Sequence, residues 1–171
     1  DLILALPAGD PLAGKADAAH VGMTGHSFGT YTTWAIGGAT IDQDAMKARC
    51  DKGDLAPCSP AELAALGSGL SDPRPKTIIP LAGAPTGEFA AASFDAVKLP
   101  VLAMSGTLDK VGDDALFDMV TKVDFTWVEV EGGCHQLYGL GNTGLGVPAC
   151  AGLPDEEGFA LVNPWILAYA R

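Results

Sequence analysis

Three side chains of this sequence have the types and the order that nucleophilic catalysis requires. Ser27 lies in a Gly-His-Ser-Phe-Gly motif, Asp109 follows the apolar run 101–105, and His135 follows the apolar run 125–130. A serine hydroxyl is a poor nucleophile at neutral pH, so it needs a base within hydrogen-bond reach and an acid that orients the base. These residues therefore predict a triad of Ser27, Asp109 and His135.

The residues around Ser27 predict a strand over 20–24, a sharp turn and a helix over 28–38. In such a turn the serine has a strained backbone, and we expect both Gly25 and Gly29 to be required for the close approach of strand and helix. The turn lifts the hydroxyl clear of the sheet. The helix start also aims the backbone N–H of Phe28 at a developing oxyanion.

The sequence has three histidines, and position decides between them. His20 precedes the strand and is expected at its far end. His26 neighbours Ser27 on an extended backbone and is expected to point away from it. His135 follows the last predicted strand, from which a loop reaches back over Ser27, so His135 is the predicted base.

The acid is chosen by the same reasoning. Asp109 follows a strand end and lies at the sheet edge expected for His135. Asp113 and Asp114 are better explained as the first residues of a helix, where negative charge is favourable. Asp109 is therefore the predicted orienting acid.

The remaining pattern predicts an α/β fold with a parallel sheet, because short apolar runs alternate with segments of helical spacing. Predicted strands cover 20–24, 76–82, 101–105 and 125–130. Predicted helices cover 28–38, 41–49, 60–66, part of 88–99, 113–123 and 159–170. The apolar side of the last helix is predicted to hold Phe159, Leu161, Val162, Ile166 and Leu167. Residues 41–75 are interpreted as a helical, cap-like insertion.

Composition excludes several classes. The 171 residues are 48% hydrophobic and 18% charged, enough for one domain with a core. A net charge of −11 repels nucleic acid phosphates. No run reaches the roughly 20 apolar residues of a membrane span, so an integral membrane protein is not expected. We expect no metal site and no cofactor.

The four cysteines form two locally spaced pairs, for which disulfides Cys50 to Cys58 and Cys134 to Cys150 are favoured. A zinc site is the alternative, but the sequence has no C-x-x-C motif. Disulfides predict an oxidising compartment, and hence a secreted or periplasmic protein.

The chain order Ser27, Asp109, His135 is that of α/β-hydrolases. With the motifs 25–29, 105–109 and 133–135, the chain resembles the C-terminal half of such an enzyme, in the bacterial branch of dienelactone hydrolases, platelet-activating-factor acetylhydrolases and polyester hydrolases. The resemblance implies a serine ester hydrolase whose second oxyanion donor lies outside this chain. Residues 1–171 are then the C-terminal part of one domain, completed by an N-terminal half on a separate polypeptide.

Small-molecule or lipid-like esters are the expected substrates. The insertion and the loop 138–145 are expected to shape their pocket, with Tyr31, Trp34 and Tyr138 as available aromatic residues. Two alternatives stay open: an interfacial lipase or polyester hydrolase, and a noncatalytic binding module on a hydrolase scaffold.

Overall fold

The computed structural model describes residues 5–54, 59–139, 150 and 152–170. Within these ranges four parallel strands form one sheet in the order β1-β2-β3-β4, which confirms the predicted α/β class. The strands are β1 (Val21–His26), β2 (Pro75–Leu81), β3 (Val101–Gly106) and β4 (Phe125–Val130). The helices are α1 (Gly29–Gly37), α2 (Gln43–Lys52), α3 (Pro60–Gly67), α4 (Ala91–Phe94), α5 (Asp113–Met119), a 3₁₀ helix (His135–Tyr138) and α6 (Asp155–Tyr169).

The sheet is covered on both faces, because successive residues of its central strands point to opposite sides. In β2, Ile78 packs in one apolar cluster with Trp34 of α1 and Phe94 of α4. Its neighbour Ile79 belongs to a second cluster that includes Val162 of α6. Helices α1 and α6 therefore cover opposite faces of the sheet.

The parallel strands bring three connecting segments to one edge. Ser27 directly follows β1, Asp109 follows β3, and His135 follows β4. Carboxyl ends of parallel strands lie at the same edge of a sheet. The predicted triad residues therefore start from neighbouring positions.

The predicted insertion contains α2 and α3, and β2 begins at Pro75. Asp42 caps the first turn of α2, and Ser59 with Glu62 forms a capping box at the start of α3. The Gln43 side-chain amide donates a hydrogen bond to the Leu63 carbonyl at 2.9 Å, which joins the two helices. This segment thus contains two connected helices.

The predicted ends of α2 and α5 are wrong: α2 ends at Lys52 rather than at 49. Helix α5 ends at Met119 rather than at 123, because Val120 has an extended backbone (φ −89°, ψ 105°). The N–H groups of Thr121 and Lys122 both donate to the Asp95 carboxylate at 3.1 Å. A side chain from another segment therefore stabilises the non-helical backbone.

Helix α6 begins at Asp155 rather than at 159. Its first turn carries three acidic residues, which are favourable at the positive end of the helix dipole but lack apolar periodicity. The predicted apolar side is also too broad: Val162 is buried, whereas Leu161 and Leu167 are 51% and 59% exposed. The helix contacts the core through Gly158, Val162 and Ile166, which are four residues apart.

The predicted disulfide Cys134–Cys150 is present, with Cα atoms 5.3 Å apart. The other predicted pair includes Cys58, which lies outside the described residues. In the part of the chain that the structure describes, no helix has the length and apolar character needed to cross a bilayer.

Candidate active site

Ser27 lies in a sharp turn between β1 and α1. Its φ of 54° is in the left-handed region, which is costly for a residue with a side chain. The Ser27 N–H donates to the Leu81 carbonyl at 2.9 Å, and the Thr30 hydroxyl donates to the Ser27 carbonyl at 2.8 Å. Hydrogen bonds with β2 and α1 thus stabilise the strained backbone of Ser27.

The two glycines that flank Ser27 differ in the space that a side chain would have. A Cβ on Gly25 would lie 2.3 Å from the Gly29 carbonyl oxygen and 2.6 Å from the Thr33 hydroxyl oxygen. A Cβ on Gly29 would meet nothing within 4 Å. The expectation that both positions must be glycine is therefore wrong for Gly29, because β1 and α1 approach each other only at the Gly25 side.

Ser27, His135 and Asp109 form one chain of hydrogen bonds. His135 Nε2 lies 2.7 Å from Ser27 Oγ, and His135 Nδ1 lies 2.9 Å from Asp109 Oδ2. The Asp109 side chain is 7% exposed and that of His135 is 35% exposed. A buried carboxylate on Nδ1 holds the tautomer that leaves Nε2 free to accept the serine proton.

The loops that carry Asp109 and His135 are packed directly against each other. A Cβ on Gly106 would lie 2.2 Å from the Gly133 carbonyl oxygen, so the two backbones touch. The Leu108 N–H donates to that same carbonyl at 2.9 Å, and the Gly132 N–H donates to the Thr107 hydroxyl at 2.9 Å. These contacts set the distance between acid and base.

His26 also contacts His135. His26 Nε2 lies 2.7 Å from the His135 carbonyl oxygen, and the ring centroids are 4.8 Å apart. This contact is not predictable from the sequence, since no local pattern indicates a contact across 109 positions. His20 is exposed, with Nδ1 2.7 Å from Asp17 Oδ2.

Ser105, the next-to-last residue of β3, anchors residues of two other elements. The Tyr138 hydroxyl, from the 3₁₀ helix of His135, donates to the Ser105 carbonyl. Trp127 Nε1 of β4 donates to the Ser105 hydroxyl at 2.9 Å. Tyr138 thus holds the histidine segment, and the predicted pocket residues 140–145 lie outside the described residues.

A cavity of about 530 Å³ begins at the residue after Ser27 and runs between α1 and the insertion. Phe28 is 79% exposed and stacks on Tyr31 with ring centroids 5.0 Å apart. An Arg49–Glu88 ion pair also lines the cavity. Other lining residues are mainly apolar: Ala35, Ile36, Ile41, Met46, Leu66 and Leu70. Of the predicted pocket aromatics, Tyr31 lines this cavity, whereas Trp34 is fully buried in the core.

Phe28 begins the turn into α1 with helical backbone (φ −57°, ψ −25°). Among the described residues, none accepts a hydrogen bond from its backbone N–H. A free N–H at a helix start, next to the nucleophile, is suited to bind a negative oxygen.

A second buried carboxyl, Asp113, lies behind the triad. Burial, followed by the nearby Asp109 carboxylate, raises the pKa of Asp113 to about 7, while the Ser105 hydroxyl opposes this shift. Burial and the same acidic surroundings also raise the pKa of Tyr138, which keeps its hydroxyl protonated as a donor. Asp113 starts α5 as predicted, but the sequence did not indicate its burial.

Within the described ranges, no group of three or more His, Cys, Asp or Glu residues is arranged to hold a metal ion. Comparison of the chain with protein-family models, with curated proteins and with solved structures finds no match. The arrangement of the site's own residues is therefore the basis for a functional assignment.

Proposed function

We propose that this chain is a serine ester hydrolase of the carboxylesterase type. The observation that carries the proposal is the chain of hydrogen bonds from Ser27 Oγ through His135 to Asp109, with Ser27 on a left-handed backbone at the sheet edge. A nucleophile, its base and an orienting acid in this geometry are the requirements of acyl transfer.

In the proposed reaction, Ser27 Oγ attacks the acyl carbon of an ester while His135 Nε2 takes the hydroxyl proton. The Phe28 N–H, with a second donor from outside this chain, stabilises the oxyanion. The bond to the alcohol oxygen then breaks, and His135 gives that oxygen its proton. A water attacks the acyl-enzyme with His135 again as base, the acid leaves, and Ser27 regains its proton.

The fold supports the narrower proposal of an α/β-hydrolase. The chain order Ser27, Asp109, His135 and the strand-turn-helix around Ser27 are typical of that fold. Strand β1 pairs with β2, and no described strand lies on its other side. We propose that the N-terminal half of the same hydrolase domain pairs with this edge and supplies the second oxyanion donor.

An interfacial lipase or polyester hydrolase is the second candidate, favoured by exposed apolar side chains next to triad residues. Phe28 adjoins Ser27 and is 79% exposed, and Leu108 adjoins Asp109 and is 58% exposed. Such side chains are suited to contact a lipid or polymer surface. A sharp rise in rate when the ester forms droplets or films would favour this candidate over a carboxylesterase.

The Cys134–Cys150 disulfide supports a secreted or periplasmic enzyme.

The test is covalent labelling with a fluorophosphonate, which reacts with activated serines. We expect the natural protein to take one label on Ser27, and S27A to lose labelling and about 10⁴-fold or more of its ester turnover. The exposed Ser71 provides a matched control, and S71A should label like the natural protein. A natural protein that folds but takes no label would instead indicate a noncatalytic binding module.

A further inference from the structure

A small acidic pocket lies behind the triad acid. It has a volume of about 220 Å³, and its walls include four carboxyl groups, from Asp109, Asp113, Asp114 and Glu129, and one cation, Lys110. Asp114, Glu129 and Lys110 are exposed, so water and salt screen their charges. The Asp109 side chain and Asp113 are buried, and their interaction is screened far less.

Asp113 is the unusual member of this group. The residue is 5% exposed, and its Oδ2 is buried without a hydrogen-bond partner among the described residues. A buried carboxylate with an unsatisfied oxygen is costly, whereas a neutral carboxyl is much less so. The Ser105 hydroxyl favours the charged form of Asp113, but that hydroxyl also accepts from Trp127.

The charges that face Asp113 also favour its neutral form. The carboxylates among them are Asp109 from the preceding loop, Asp114 from its own helix, and Glu129 from β4, and each raises the pKa of Asp113. Lys110 from the preceding loop is the one cation that lines the pocket, and its charge acts in the opposite direction. The Tyr138 hydroxyl, from the 3₁₀ helix, stays neutral because its pKa is raised. Two buried carboxylates in one site do not both ionise easily.

We propose that Asp113 is a positioning residue of the triad, which as a neutral carboxyl leaves Asp109 as the single buried negative charge beside His135. The proposal rests on the proposed hydrolase function. When Asp113 ionises, a second negative charge stabilises the imidazolium of His135 and lowers the fraction of neutral base. The triad then has two coupled ionisations in place of one.

The test compares the pH dependence of fluorophosphonate labelling in the natural protein, D113N and D118N. Asparagine has the shape of the neutral carboxyl and cannot ionise. We expect D113N to label about twofold to fivefold faster than the natural protein near pH 7, and at an equal rate near pH 9. D118N removes the same charge from an exposed position of the same helix that does not line this pocket, and its profile should match that of the natural protein.

A measurement without catalysis separates this proposal from the proposed function. The ring signals of His135, followed by NMR against pH, should show two inflections in the natural protein and one in D113N. Absence of labelling with these inflections present would refute the hydrolase and keep the coupling. A single inflection in the natural protein, or labelling profiles of D113N and the natural protein that coincide, would overturn the role of Asp113.

Discussion

The two glycines around the nucleophile give a prediction with an internal control. Alanine at position 25 would place a Cβ 2.3 Å from the Gly29 carbonyl oxygen, and Cβ atoms essentially never approach closer than 3.0 Å. Strand and helix must therefore separate by about 0.7 Å, the difference between these two distances. The obstacle is backbone, so no side-chain rotation relieves it.

Overpacking of this kind costs about 1–3 kcal/mol, and a backbone obstacle favours the upper end. We expect G25A to lower the free energy of unfolding by about 3 kcal/mol, a large part of the usual total of about 5–15 kcal/mol. Because Ser27 lies between Gly25 and Gly29, separating the strand from the helix also changes the distance between Ser27 and His135. A displacement of about 1 Å in an active site costs about 100-fold in rate.

The assay is urea unfolding followed by circular dichroism, together with the rate of fluorophosphonate labelling. G29A is the control, since no atom lies within 4 Å of its new Cβ. We expect G29A to change stability by less than about 0.5 kcal/mol. Equal stability and labelling of G25A and the natural protein would refute the reasoning, as would equal damage from both substitutions.

Three further predictions concern the surroundings of the triad. Because the pKa of Asp113 rises from 3.8 to about 7, the folded state binds a proton that the unfolded state loses between these values. Asp113 therefore lowers stability by roughly 1.4 kcal/mol per pH unit as pH rises through that window, and D113N should remove this slope in urea unfolding at pH 4–8. Replacing Cys134 and Cys150 with serine should lower stability by about 2–4 kcal/mol, and a loss below 0.5 kcal/mol would contradict a stabilising bridge. H26F keeps ring contact with His135 but loses the hydrogen bond to its carbonyl, so labelling should slow while the midpoint of unfolding changes little.

Hydropathy patterning was sufficient for one strand and two helices. Strand β4 has the predicted bounds, and α1 and α3 differ from their predictions by about one residue. The start of α6 at Asp155 and the end of α5 at Met119 depend on charge, a helix dipole and a carboxylate from Asp95, none of which produces a periodic pattern.

The candidate site likewise has features that the sequence predicts and features that depend on tertiary packing. The proximity of Ser27, Asp109 and His135 was predictable because each follows a strand end, and strand ends meet in a parallel sheet. The contact of His26 with His135 and the burial of Asp113 depend on how separate segments pack in three dimensions. The tolerance of position 29 for a side chain also depends on packing, because it needs open space beside α1.

The contact between Gly106 and Gly133 joins two residues of the proposed triad, because Asp109 and His135 lie on loops whose backbones touch. Ser27 lies on a different segment, between β1 and α1. That segment is linked to His135 by the contact between His26 Nε2, at the end of β1, and the His135 carbonyl oxygen. The proposed activation of Ser27 therefore depends on a contact between segments, whereas the orientation of His135 by Asp109 depends on two loops that are packed together.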